Sequence, residues 1–288
     1  MGLENKCVVS CAMAGAATRK QQNEAVPYGI KETIEEAVKC YKAGAAIVHI
    51  HVRDEDGTPT HDPNYIIPVV QGIREKCPIL VNLSTAIRPG LSPEERITVV
   101  TNGKPDMASL NCGTMDFGLA NWEAGTVPLS FIFDNTFNTM IMFNEKMKEA
   151  GTKPELEVYD NAMVDNIKLI RKQGIFEEPL HFQFVFGIAG GVLLDPSSFA
   201  DFVQRIPKGA TWSACGAGPN SFKSVYLGSI FGGNVRVGLE DNLYISGKTL
   251  AKGNWELTEK AVKIVQMADR EPATPEEARQ ILNLPKRK

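Results

Sequence analysis

Two histidines separated by one residue close the apolar run Ala45-Ala46-Ile47-Val48-His49-Ile50-His51-Val52-Arg53-Asp54. A β-strand alternates its side chains between two faces, so Ile47, His49 and His51 share one face while Val48, Ile50 and Val52 share the other. Two neutral imidazoles converging at a strand end can bind a borderline metal such as zinc, and a third protein ligand would leave one position open for substrate. A pair of hydrogen-bonded core histidines is the competing reading of so short a motif. Near the other end of the chain, Asn234-Val235-Arg236-Val237-Gly238-Leu239-Glu240-Asp241 alternates in the same way and places Arg236, Gly238 and Glu240 on one face. An inward guanidinium needs a carboxylate or a bound anion. Taken singly, Glu240 could be a rim acid paired with Arg236, and Asp241 a helix cap.

Other motifs are weaker. Asp54-Glu55-Asp56-Gly57 invites a calcium reading, but the twelve-residue pattern lacks its terminal glutamate, so the stretch reads as a turn. His61 is expected in an exposed loop and His181 at the start of a strand, on the end away from the chemistry. The stretch Cys215-Gly216-Ala217-Gly218-Pro219-Asn220 lies between a strand and a helix, where backbone amides often hold phosphate. A coenzyme A contact at Gly216 and Gly218 is one expectation; glycines that only permit tight turns are the other.

The elements that must carry these side chains alternate regularly. Strands are expected over 7–13, 45–52, 78–83, 106–110, 155–159, 180–186, 210–215 and 234–239, with helices over 31–41, 65–76, 93 onward, 137–150, 163–173, 196–206 and 221–231 between them. Two further helices, 256–269 and 275–282, finish the chain. Residues 111–133 are too long for an ordinary barrel loop and suggest an excursion over the strand ends with a small hairpin. Eight strand-helix units favour an α/β fold of the (β/α)8 TIM-barrel type, a single domain over 1–288 with a C-terminal helical extension. No Gly-x-Gly-x-x-Gly follows the first strand, which weakens a dinucleotide-binding sheet. In such a barrel the first and eighth strands are neighbours, so a ligand on the eighth can reach a metal on the second, and the polar clusters fall at the C-terminal ends where barrel enzymes carry their chemistry.

Composition narrows the class further. A chain of 288 residues, 43% apolar and 23% charged, is ordinary for a soluble globular protein. The net charge of −3 and the absence of a basic block other than Lys286-Arg287-Lys288, read as a solvated tail, give no reason to invoke nucleic acid or an anionic membrane. Six cysteines without a Cys-x-x-Cys pair, and a start too short for a signal peptide, point to a reduced, cytoplasmic protein. No apolar segment approaches the roughly 18 residues of a membrane-spanning helix.

With His49-Ile50-His51-Val52-Arg53-Asp54-x-x-Gly57, Glu155-Leu156-Glu157-Val158-Tyr159-Asp160, Arg236-Val237-Gly238-Leu239-Glu240-Asp241-Asn242 and Ala273-Thr274-Pro275-x-x-Ala278-Arg279 in this order, the sequence resembles the β-keto acid cleavage enzymes over nearly its whole length. The resemblance implies a zinc-dependent barrel that, with acetyl-CoA as co-substrate, converts a β-keto acid into acetoacetate and a new acyl-CoA. It also implies a homo-oligomer, commonly a tetramer. Under it His49, His51 and Glu240 are the zinc ligands, and Arg236 and Asp241 are the proton-handling pair. Ser84 or Thr85, with Ser109 or Thr114, would hold the substrate carboxylate, and Glu157 matches the position that meets a distal amino group. Ala17 stands where family members often carry a glutamate. A zinc hydrolase on a barrel is the alternative, but such sites recruit further histidines from later strands, and His181 is at the wrong end.

Overall fold

The computed structural model describes residues 2–285; Lys286-Arg287-Lys288, expected as a solvated tail, lie outside the described residues. Eight parallel strands close into a barrel in chain order: β1 Val9–Ala12, β2 Ile47–Ile50, β3 Leu80–Leu83, β4 Met107–Asn111, β5 Lys153–Val158, β6 His181–Phe186, β7 Thr211–Gly216 and β8 Asn234–Val237, with β8 returning to pair with β1. Helices α1 Gly29–Lys42, α2 Pro63–Lys76, α3 Pro93–Gly103, α4 Phe137–Glu149, α5 Asn161–Arg171, α6 Pro196–Arg205, α7 Ser221–Ile230 and α8 Asn254–Met267 surround it. The expected (β/α)8 barrel is therefore what the chain forms.

Local chemistry explains the boundaries. Proline sits in the first turn of α2, α3 and α6, and side chains of Asp62, Ser92, Thr136, Asp160 and Asp195 accept backbone N–H groups at helix starts. Ser92 and Glu95 complete a reciprocal capping box on α3. Outside the strands, one face of α1 to α6 packs on apolar outward residues such as Val48, Val81, Leu110, Leu156 and Phe184, and α7 and α8 pack with Val9, Val235 and Val237.

Below, α9 Pro275–Ile281 closes the N-terminal end: Ala278 and Leu282 pack with Ile47, Leu80 and Met107, and Arg279 reaches Asp106 at 2.8 Å. A two-residue parallel pairing of Lys6–Cys7 with Glu271–Pro272 ties the two chain ends there. His181 lies inside this half, its ring bonded to Thr211 and Ser213.

Above, the excursion at 111–133 is a long antiparallel hairpin, Met115–Asn121 with Thr126–Phe133. Gly118 exchanges backbone hydrogen bonds of 3.0 and 3.2 Å with Ala189, which holds the hairpin over the β6 end. A short pairing of Tyr244–Ser246 with Thr249–Leu250 was not legible in the sequence. Asp54 caps its own turn by accepting from Asp56 and Thr58, in keeping with a turn there, and His61, expected to be exposed, is half-buried.

Candidate active site

The barrel register brings the predicted residues to one level. Ala12 pairs with His49, His49 with Asn82, and Arg236 with Ser10, so the β1, β2, β3 and β8 ends meet at the C-terminal mouth. His49 Nε2 lies 3.7 Å and His51 Nε2 3.6 Å from Glu240 Oε1. Four ligands on bonds of ~2.1 Å in a tetrahedron are separated by about 3.4 Å. The three side chains therefore stand near the spacing that a small divalent metal requires, and no neighbour bonds Glu240 Oε2 or the Nδ1 atoms of His49 and His51 among the described residues. Burial holds the His49 imidazole at a pKa of about 3, hence neutral, as a metal ligand must be.

Glycine makes the approach of Glu240 possible. A Cβ on Gly15, in the loop after β1, would stand 2.6 Å from the Glu240 Cγ. Gly238, at φ +144°, lets β8 pass so close to β1 that a Cβ would meet the Ala12 carbonyl at 2.0 Å. Glu240 N then donates to that same carbonyl at 3.1 Å. Asn254 locks the arrangement from behind, accepting from Leu239 N at 2.8 Å and donating to the Met13 carbonyl at 3.1 Å.

Arg236 is the electrostatic centre. Its Nε and Nη2 grip Asp241 at 3.1 and 2.9 Å, Nη2 also reaches Glu240 at 2.5 Å, and Nη1 reaches Glu157 at 3.3 Å. Burial would lower the guanidinium, but its carboxylate neighbours raise its pKa well above the usual value. Burial raises Asp241, the Arg236 fork offsets part of this, and the Glu240 charge adds to it, leaving a carboxylate more basic than an ordinary aspartate. Burial would also raise Glu240, yet Arg236, His49 and His51 carry it well below the usual range. Glu157 is pushed up to about 8 by burial, against the pull of Arg236. Four carboxyl groups, Glu155 included, thus crowd one guanidinium, and burial favours the protonated form of Glu155 and Glu157.

Glu155 and Glu157 with His49 form a second cluster of potential ligands. That cluster is the poorer metal site, because Glu155 accepts from Asn82 at 2.6 Å and both Glu157 oxygens are engaged, by Arg236 and by the Tyr159 hydroxyl, whereas Glu240 keeps Oε2 without a partner among the described residues. Its geometry suits orientation of His49, whose Nδ1 is 3.9 Å from Glu155.

The groups face a cavity of about 1040 Å³, which His49, His51, Glu157, Arg236, Glu240 and Asp241 all line. Ser84 lines it as well. Three expected carboxylate-binding residues do not: Thr85 is turned into β4, giving its hydroxyl to the Ser109 carbonyl while its amide bonds Ser109 Oγ, and Thr114 is an exposed residue bonded to Asp134. The Gly216 and Gly218 expectation also meets an obstacle. Gly218 N donates to the Asp241 carbonyl at 2.8 Å and Ala217 N to Phe186, so these amides are not free for phosphate. Ala17 lies on the cavity wall and adds a methyl group there.

Sequence reasoning missed several contributors. Asn111, at the end of β4 beside Glu157 in register, is buried with neither side-chain amide atom bonded among the described residues. Arg53, wholly buried, links the Gly15 and Gly57 carbonyls and so ties the β1 loop to the β2 loop. Arg96 joins the Thr85 carbonyl to Asp134 and Asn135, anchoring the hairpin end to β3. Only Arg53 stood in a recognised motif.

Comparison with known proteins bears on the chemistry. The model of the beta-keto acid cleavage enzyme family matches residues 6–284. A 3-keto-5-aminohexanoate cleavage enzyme of Fusobacterium nucleatum is 42% identical over 98% of this chain and 99% of its own length. A 3-oxoadipate:acetyl-CoA acetyltransferase of Cupriavidus necator is 32% identical over 97% of this chain and 95% of its own. Among solved structures, apo ObcA superposes with a TM-score of 0.75 at 20% identity, covering 91% of this chain and 66% of that one, a likeness of fold.

Proposed function

From the premise that the chain belongs to the beta-keto acid cleavage enzyme family and is an enzyme of that family, we propose that it joins a β-keto acid to acetyl-CoA and releases acetoacetate and a new acyl-CoA. The observation that carries this reading is the conjunction of the His49, His51 and Glu240 triad with the Arg236–Asp241 fork on one cavity wall. Zinc is the metal proposed for the triad, whose two imidazoles and one carboxylate form a common catalytic zinc set. When bound, it would supply a Lewis acid that stabilises the enolate charge of the keto acid.

The protein's own groups then divide the work. Ser84, on the wall, would receive the substrate carboxylate. Asp241 takes a proton from C2, and Arg236, gripping it through two nitrogens, fixes the direction of that carboxylate. C2 attacks the acetyl carbonyl carbon, and CoA leaves as thiolate. The thiolate adds to the original ketone carbon; the C2–C3 bond breaks; and C2, now part of acetoacetate, takes up a proton, which Asp241 can return. Acetyl-CoA would enter from the rim, where the exposed Arg88 offers its phosphates a cation that the occupied amides near Gly216 and Gly218 do not.

A zinc hydrolase is disfavoured because His181, the histidine on a later strand, sits in the opposite half of the barrel, bonded to Thr211. No helix among the described residues is long and apolar enough to cross a membrane. The proposal places the enzyme in the cytoplasm, where its six unpaired, buried thiols would persist, and as a homotetramer, for which the exposed Tyr226 and Ile230 on α7, Phe231 just after it and Met267 on α8 offer apolar contact. The test is metal analysis of the purified protein alongside detection of acetoacetate and acyl-CoA. About one zinc per chain, lost with activity in His49→Ala and His51→Ala, is expected; full turnover by the double variant after chelation would refute the metal role.

A further inference from the structure

We infer that the keto acid this chain takes has an uncharged, apolar tail, a conclusion that rests on the acyl-transfer reading and names its substrate class. The cavity wall beyond the reacting groups is built from Phe117, Leu119, Phe131 and Phe133 of the hairpin with Val185 and Ile188 of the β6 end. These residues continue directly from the chemistry. Glu157 Oε1 meets Arg236, its other oxygen lies 3.5 Å from the Tyr159 hydroxyl, and the Tyr159 ring meets Phe117 edge-on at 6.3 Å. Phe117 in turn packs on Phe131 at 5.3 Å. A tail extending past the ketone along this line meets rings and aliphatic side chains.

A charged tail laid along this wall would lack a buried, unpaired counter-charge. Five carboxylates line the cavity: Glu95 and Asp134 are exposed, and the three deeper ones are engaged. Glu95 accepts the Ser92 amide, Asp134 accepts the Thr114 hydroxyl, Glu157 and Asp241 hold Arg236, and Glu240 belongs to the metal triad. Glu157, which the family resemblance offers to a distal amine, is therefore already paired, and Ala17 presents no carboxylate in its place. Among the cations, Arg96 donates to Thr85, Asp134 and Asn135, Arg19 to the Ala16 and Thr18 carbonyls, and Arg88 stands exposed on the rim. An ammonium or second carboxylate on the tail would be desolvated without a partner, whereas methylenes gain from burial.

Three six-carbon acids isolate the tail: 3-oxohexanoate, 5-amino-3-oxohexanoate and 3-oxoadipate differ only in bearing no charge, an amine or a carboxylate. With zinc-loaded enzyme and acetyl-CoA, kcat/KM for 3-oxohexanoate is expected to exceed both charged analogues by at least about a hundredfold. It should also exceed that of 3-oxopentanoate about fourfold, the factor equivalent to about 0.8 kcal/mol for one buried methylene. In Phe117→Ala this increment should shrink toward one, a change in selectivity that partial loss of folded enzyme cannot produce. Preference for the aminated or dicarboxylate acid would overturn the apolar-tail assignment while leaving acyl transfer standing. Failure of every acid to yield acetoacetate would instead overturn the acyl-transfer reading itself.

Discussion

Gly15→Ala should weaken the metal site without unfolding the barrel. The new methyl would stand 2.6 Å from Glu240 Cγ, 3.3 Å from Cδ and 3.4 Å from Cβ, whereas carbon atoms rest at about 3.5 to 4.0 Å. Relief requires Glu240 to move by about 1 Å, and metal–ligand distances tolerate only about 0.2 Å. Gly15 does not sit at a positive φ, so alanine strains the side-chain contact rather than its own backbone. Displacing the support of a ligand costs about 10- to 100-fold in affinity. Zinc affinity measured by competition with a chromophoric chelator should fall by that factor, while the melting temperature of the metal-free protein shifts by only a few degrees. Unchanged affinity would show that Glu240 is not held where the triad needs it.

Three further predictions test separate parts of the account. Asn254→Ala leaves Leu239 N and the Met13 carbonyl unpaired in the interior and should cost about 2 to 6 kcal/mol in urea unfolding; a loss under about 1 kcal/mol would mean that water replaces the amide. His181 is buried neutral with a pKa of about 3 against an ordinary 6.5, so the unfolded chain binds a proton that the native one refuses. Its contribution is complete above pH 6.5 and lost toward pH 3 at up to about 1.4 kcal/mol per unit, and His181→Asn should flatten that slope in chemical unfolding across the window. Asp241→Asn should keep metal and fold but slow C2 hydrogen exchange in deuterated buffer by about 10² to 10⁴; exchange at the wild-type rate would assign the base elsewhere.

The barrel was legible because apolar strand runs, helix caps and turn residues agree along the chain. The strand period of two was enough to turn His49 and His51 inward, and Arg236 and Glu240 with them. It failed where a strand ends. Ser84 keeps the parity of Asn82 and faces the cavity, whereas Thr85 turns into β4, a distinction that depends on where β3 stops. Gly216 and Gly218 looked free because sequence does not reveal that the Asp241 and Phe186 carbonyls claim the loop amides. Residues 111–133 were recognisable as an excursion from their length and composition, but their service as an aromatic cavity wall depends on pairing with Ala189, 71 residues after Gly118. Asn254 gave no signal, since one asparagine at a helix start is ordinarily a cap.

The order of bond making is tested most directly with carbon-13 in the acetyl group of acetyl-CoA. In the proposed order, removal of the C2 proton from the keto acid by Asp241 makes that carbon the nucleophile, so the label should appear at C3 and C4 of acetoacetate in the product NMR spectrum. Label at C1 and C2 would mean that acetyl-CoA supplies the attacking carbon, contradicting the role given to Asp241 and the Arg236 fork that directs it.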